Sequence, residues 1–168
     1  MQALLLANQQ ILDDAARLIE GLTDACFTRP LPQYLSGSIG QHFRHVFDHY
    51  RSLLNEDGDR IDYDTRRRNS PVEHCRSTAV AEIRFILDEL GCLTDQDVRI
   101  YAEASPTETT VIDARSTLKR ELMFTASHAI HHFALIALLL RLQGVSVPPA
   151  FGVAPATLSH QRSLRMAI

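Results

Sequence analysis

Six of the eight histidines in this 168-residue chain fall into two short clusters whose spacing suits metal binding. The clusters are His42, His45 and His49, and His128, His131 and His132. Two histidines four residues apart on a helix project from the same face, with Cβ atoms roughly 5–6 Å apart. His128 and His132 could therefore bind one ion together, and an imidazole from another helix would complete a set of three ligands.

The second cluster lies on the apolar face of a predicted helix. Leu135 and Leu139 continue the stripe that contains His128 and His132, whereas His131 is turned away from it by about 100°. A buried imidazole without a hydrogen-bond partner costs on the order of 1–3 kcal/mol. A metal ion would satisfy several ring nitrogens at once; the alternative is a set of core histidines with ordinary hydrogen bonds.

The first cluster leaves the third ligand open. His42, His45 and His49 lie within about 60° of one another on a helix, so any of them could face the second cluster. Zinc peptidases place a glutamate directly after the first histidine of HExxH as the general base. Ala129 occupies that position here, which argues against peptidase chemistry of that kind.

Composition favours a cytoplasmic protein that binds neither nucleic acid nor membrane. The formal net charge is −3, and the one basic run, Arg66 to Arg68, is short, whereas phosphate binding needs a basic face. The three cysteines, an odd number, include no CxxC pair, which is typical of a reducing compartment. The N-terminus lacks a basic region, and the apolar run at 133–140 is too short to span a bilayer.

Four segments have a helical apolar period and matching end signals. They are residues 2–20, a segment that opens at 38–41 and stops before Gly58, a segment that opens at 70–73 and stops before Gly91, and residues 116–143. Ser38 and Gln41 have the spacing of a capping box. Ser70, Pro71 and Glu73 have the N-cap, first-position and third-position residues of another helix start.

This pattern predicts an all-α fold, a four-helix bundle with one longer crossover connection and an irregular C-terminal tail. The connection between the third and fourth helices contains alternating residues at 98–102 and β-prone residues at 109–112, typical of a short hairpin or an extended crossover. We expect a single domain over residues 1–168, with the bundle at about 1–143 and the tail at 144–168.

The two histidine motifs resemble those of the DinB family, the DinB/YfiT-like bundle proteins. Members pair a segment like S-I-G-x-x-x-x-H on the second helix with H-x-x-x-H on the last long helix, and this chain has Ser38-Ile39-Gly40 followed by His45, and later His128 and His132. The resemblance implies His45, His128 and His132 as ligands of one divalent ion, zinc, nickel or iron. The usual H-R-G-Q ending is replaced after His132 by Phe133-Ala134-Leu135.

The resemblance also implies a range of activities. Similar proteins include transferases and isomerases that use a low-molecular-weight thiol. Three neutral ligands leave an open coordination position, as in catalytic sites. We therefore expect a metal-dependent transferase or hydrolase that acts on a small molecule, with such a thiol as nucleophile, in a homodimer. The alternative is a non-catalytic, dimeric metal-binding or stress-related module.

Several further residues are candidates for the surroundings of the site. His42, His49 and His131 could line the pocket, and Glu121, two turns before His128, could orient a ligand or act as a base. Arg66 and Arg67, in a connection that leads to a helix start, could bind a carboxylate or phosphate of the substrate. The alternative for both arginines is a solvated loop with surface ion pairs.

Overall fold

The computed structural model describes residues 1–54 and 59–166, which form six α-helices, one 3-10 turn and three β-strands. In chain order these elements are α1 (Gln2–Glu20), α2 (Asp24–Thr28), α3 (Ile39–Leu53), β1 (Arg60–Asp62), the 3-10 turn (Pro71–Glu73), α4 (Arg76–Leu90), β2 (Asp97–Glu103), β3 (Val111–Thr117), α5 (Leu118–Leu142) and α6 (Pro155–Met166).

The four long helices predicted from the apolar period pack around a common core. α1 contacts α4 and α5, and α3 contacts the same two helices. Aromatic side chains of α3 and α5 fill the centre, where the Phe43 ring lies 5.9 Å from that of Phe47 and 5.7 Å from that of Phe133. The chain is thus mostly helical, as predicted.

The prediction of an all-α class is confirmed only in part, because a three-stranded sheet lies beside the helices. β2 and β3 form an antiparallel hairpin in which Ile100 pairs with Ala114, and this hairpin occupies the predicted connection. β1 pairs with β2 in parallel. Its three residues are too few to carry a strand pattern that sequence alone reveals.

The predicted start of α3 is confirmed in detail. The Ser38 hydroxyl accepts a hydrogen bond from the Gln41 backbone N–H at 3.2 Å, and the Gln41 side chain accepts one from the Ser38 N–H at 2.9 Å. The helix ends at Leu53, and the predicted stop at Gly58 lies outside the described residues.

The predicted start of the third helix is wrong. Residues 71–73 form only the 3-10 turn, and α4 begins at Arg76 after Cys75 as N-cap. The Ser70 side chain makes no capping hydrogen bond. The Glu73 carboxylate instead accepts hydrogen bonds from Arg44 Nε at 2.8 Å and from the Asn69 N–H at 3.1 Å. In a capping box this carboxylate would accept the Ser70 N–H.

A buried network of charges, the Arg44 network, joins α3 to the connection that follows β1. Arg44 lies between Glu73 and Asp48, at 2.8 and 3.0 Å. Asp48 also accepts hydrogen bonds from the Arg67 side chain at 2.7 Å and from the Arg67 backbone N–H at 3.2 Å. Buried charges are costly unless they are paired, and here each carboxylate has a guanidinium partner.

The C-terminal segment is partly helical, which corrects the prediction of an irregular tail. The Phe151 ring stacks on Phe133 of α5 at 4.9 Å, and Gly152 adopts a φ of 74° where an added Cβ would overlap the backbone of Ala134. α6 follows, with Pro155 at its first position, where a proline is already in helical geometry. None of its described residues is buried.

α5 is long and apolar enough to cross a membrane by length and composition, with a mean hydropathy of 1.5 over 18 residues. That criterion is weak evidence, because core helices of soluble proteins also meet it. In this fold α5 packs against α1 and α3, and its buried side chains, such as Leu122, Phe133 and Ile136, belong to the core.

Gly40 generates a testable prediction about the start of α3. A Cβ there would overlap the carbonyl oxygen of Glu73 and lie 2.7 Å from Cε1 of Phe27. We expect Gly40→Ala to lower the free energy of unfolding by about 1–3 kcal/mol, a typical cost of overpacking. Urea denaturation followed by circular dichroism measures the change.

Gly21→Ala is the matched control, because a Cβ at Gly21 would meet its nearest atom at 3.6 Å and the backbone there is right-handed helical. We expect its free energy of unfolding to equal or exceed that of the wild type. Equal stability of both variants would contradict the close approach at Gly40.

Candidate metal centre

α3 packs against α5, and this contact brings the two histidine clusters together. On α3, residues 42, 45 and 49 are three and four positions apart and share one face of the helix, and His128 and His132 share a face of α5 in the same way. The opposite side of α3 carries fully buried Phe43, Phe47 and Tyr50, which fix the helix against the core.

Five imidazoles form one continuous cluster, the histidine cluster, made of His42, His45, His49, His128 and His132. His45 Nε2 lies 2.9 Å from His128 Nε2, and His42 Nδ1 lies 3.2 Å from His132 Nδ1. The His45 and His132 ring centroids are 4.5 Å apart, and those of His49 and His128 are 4.0 Å apart.

Three members of the cluster satisfy the geometry of a metal site. His45, His49 and His128 each offer a ring nitrogen, and the three nitrogens lie within 4.8 Å of one another. The set expected from the resemblance has His132 instead of His49, and its rings also adjoin, with centroids 4.5–4.9 Å apart. His45 and His128 belong to both sets, and the third ligand stays a prediction.

The donor atoms of the cluster fit a metal ion. Within the described residues, buried nitrogens His42 Nε2 and His49 Nδ1 have no hydrogen-bond partner. The Nε2 atoms of His45 and His128 face each other at 2.9 Å. That distance fits a hydrogen bond in which one ring is the donor, and it also fits two lone pairs that point toward one cation. Neutral imidazole is a common ligand of zinc, nickel and iron(II).

Burial keeps the cluster uncharged. It lowers the pKa of His45, His49 and His132 to about 3, with smaller contributions from the neighbouring imidazoles, and it also lowers the pKa of His42 and His128. Metal ligation requires the neutral form of histidine. At neutral pH the cluster therefore presents free lone pairs instead of positive charges.

Glu121 lies behind the cluster and acts on it through Tyr63. The Tyr63 ring stacks on His49 at a centroid distance of 5.0 Å, and its hydroxyl donates to Glu121 Oε2 at 2.9 Å. Ser116 and Arg120 donate to the other carboxylate oxygen, so three side chains fix the Glu121 carboxylate. Sequence reasoning missed Tyr63, because a single aromatic residue in a connection carries no periodic signal.

The remaining predicted residues separate into near and distant ones. Arg66 lines a pocket of about 300 Å³ that opens beside His42, His45 and His132. Arg67 is engaged in ion pairs with Asp48 at 2.7 Å and Glu82 at 2.8 Å.

His131 projects outward from α5, although its ring lies 5.4 Å from that of His132. His74 and His160 are exposed, away from the cluster.

Comparison with known proteins places this site in a family. The family model for the DinB family matches residues 1–162. A protein from Rhizopus delemar named FK506-binding protein 5 is 34% identical to the chain over 104 residues, which are 60% of this chain and 27% of that protein. The chain thus spans about a quarter of the relative's length, and the relative's name describes that whole protein. No solved structure matches the chain.

The two candidate ligand sets make different predictions for single variants. Protein purified without a histidine tag should hold about one divalent ion per chain, and His45→Ala, His128→Ala and His132→Ala should each lose most of it. Elemental analysis measures the stoichiometry.

His49→Ala should keep the ion, and the exposed His74→Ala serves as control. Loss of metal in His49→Ala together with retention in His132→Ala would assign the set His45, His49 and His128 instead. Full occupancy in His128→Ala would contradict both sets.

The lowered pKa values predict acid sensitivity of the metal-free protein. Below about pH 6.5 the unfolded chain binds protons at these histidines, whereas the folded chain does so only near pH 3 at His45, His49 and His132. The unfolded state therefore binds more protons between these values, and the free energy of unfolding should fall as pH falls.

Urea denaturation of chelator-treated protein between pH 7 and pH 5 measures this change in the free energy of unfolding. Most carboxylates titrate below pH 5, so they contribute little in this range. His74→Gln, which removes an exposed histidine outside the cluster, should keep the wild-type slope, and His49→Gln should reduce it. A free energy of unfolding that is constant from pH 7 to pH 5 would contradict the prediction.

Proposed function

This chain belongs to the DinB family, and from that premise we propose that it is an enzyme that carries out metal-dependent transfer or hydrolysis on a small molecule. A low-molecular-weight thiol is the proposed nucleophile. The proposed cofactor is one divalent ion, zinc, nickel or iron(II), held by His45, His128 and His132 within a four-helix bundle.

The observation that carries this proposal is the junction of the histidine cluster with the open pocket. His42, His45 and His132 belong to the cluster and also line the pocket. A volume of about 300 Å³ is at the lower end of the range for small-molecule sites. A structural metal site has no need of such a space, because its protein ligands close the coordination sphere.

The contacts of His132 support its choice as third ligand. Its Nδ1 faces His42 Nδ1 at 3.2 Å, and a hydrogen bond there leaves His132 Nε2 for an ion. His45 and His128 already face each other through Nε2. In this arrangement His42 orients the third ligand and also forms part of the pocket wall.

Three neutral ligands preserve the full charge of a divalent ion, and when bound it would lower the pKa of a coordinated thiol or water. The chain's own residues do the rest. His42 fixes the orientation of His132, and Tyr63, held by Glu121, packs against His49 at the closed side of the cluster. The substrate enters from the opposite, open side.

A non-catalytic metal-binding or stress-related module is the second candidate, and the position of His49 favours it. His49 lies in the same group as His45 and His128, so it could add a fourth protein ligand and close the site. In that case the ion would stabilise the helices and have no exchangeable position.

The assembly and location proposed for the enzyme are a homodimer and the cytoplasm. Met123, Leu138 and Leu142 are exposed apolar side chains on α5, which supports a surface shared between two copies. Cys26, Cys75 and Cys92 are all free thiols, which suits a reducing compartment. The proposed partners are small molecules, with no nucleic acid and no membrane.

Cobalt(II)-substituted protein distinguishes the two functions. We expect 2-mercaptoethanol to change the visible absorption, because sulfur replaces an oxygen ligand at an open position. His45→Ala should lose both the cobalt and the response, whereas the exposed His160→Ala should keep both. A screen for transfer of thiols to electrophilic small molecules then follows.

A spectrum that is indifferent to thiols, azide and carboxylates alike would mean a closed site. That outcome would replace the enzymatic proposal with the non-catalytic one.

A further inference from the structure

Unlike Arg44 and Arg67, Arg66 has no carboxylate partner among the described residues. Arg44 is paired with Glu73 and Asp48, and Arg67 with Asp48 and Glu82. Arg66 makes no ion pair with any residue of the described ranges, and it is exposed at the pocket beside the histidine cluster. Its positive charge is therefore available to a ligand.

The lining of the pocket is positive overall. In the described part of the chain the lining includes no acidic residue, and its other polar groups are uncharged, apart from Arg44, whose charge is neutralised within the Arg44 network. Arg66 therefore supplies the positive charge of the lining that has no partner among the described residues.

The backbone on both sides of Arg66 is fixed. Before it, the Asp64 carboxylate accepts a hydrogen bond from the Glu103 backbone N–H at 2.5 Å, which ties the connection to β2. After it, the Arg67 N–H donates to Asp48 on α3. A side chain carried on a fixed backbone loses less freedom on binding, which favours affinity.

We propose that Arg66 makes this pocket selective for small molecules that carry a carboxylate. The guanidinium binds the carboxylate through its two parallel N–H groups, while a thiol or oxygen of the same molecule reaches the ion held by the histidines. This inference rests on the proposed function and narrows its substrate class. A cationic molecule of the same size is disfavoured by the charge of Arg66 and of the ion together.

The experiment compares two thiols on cobalt(II)-substituted protein. 3-Mercaptopropionate carries a carboxylate and 2-mercaptoethanol does not, and both offer the same sulfur donor. The apparent Kd of each is measured from the visible absorption. Because the carboxylate could also bind the ion directly, the readout is the change in the preference for the acidic thiol between variants.

Arg66→Gln should keep one cobalt per chain. It should reduce the preference for the acidic thiol by roughly two- to fivefold, the size expected for one exposed ion pair. Arg68→Gln removes an exposed arginine two positions further on, outside the pocket lining, and should keep the wild-type preference. Retention of the preference in Arg66→Gln, or an equal loss in Arg68→Gln, would overturn the inference.

Failure of the underlying function is distinguishable from failure of this inference. Wild-type protein that binds no divalent ion, or whose spectrum responds to neither thiol, would remove both. Wild-type protein that binds cobalt and responds equally to the two thiols in all variants would keep the metal site and remove only the role of Arg66.

Discussion

The Arg44 network is the interaction on which the rest of the site depends. Arg44 and Asp48 lie on α3, each directly before a cluster histidine, and they fasten Glu73 and Arg67 of the neighbouring connection. Removing one partner of a buried ion pair leaves an uncompensated charge, which costs about 3–5 kcal/mol. The network therefore holds the connection against α3, with Tyr63 beside His49 and Arg66 at the pocket.

The same arrangement separates two kinds of electrostatic environment over a short distance. Behind and beside the cluster, every described buried charge is matched, and Glu121 is fixed by Tyr63, Ser116 and Arg120. The imidazoles are buried and neutral, with lowered pKa values. On the pocket side, Arg66 has no carboxylate partner among the described residues. A cation is therefore best held by the neutral nitrogens, and an anion by Arg66 at the entrance.

Strong local signals predicted the long elements, and tertiary contacts decided the exceptions. The capping box of Ser38 and Gln41 formed as expected, because both partners lie within one turn. The similar signal at Ser70 and Glu73 failed, because the Glu73 carboxylate is directed to Arg44 and to the Asn69 N–H, one residue before the predicted N-cap. The sequence motif includes Gly40 but does not show why a glycine is needed there. The structure supplies the reason, because the backbone at Gly40 lies against the Glu73 carbonyl.

By itself the sequence determined the family, the four long helices and the two histidine clusters, because periodicity and motif spacing are local properties of the chain. Only the tertiary structure decided how the clusters meet, that His49 adjoins His45 and His128, and that Arg67 is paired while Arg66 is available. Those outcomes depend on contacts between residues 15 to 90 positions apart, such as Arg67 with Glu82 and His42 with His132, and on the competition among charges for buried partners. Neither is encoded in the spacing along one helix.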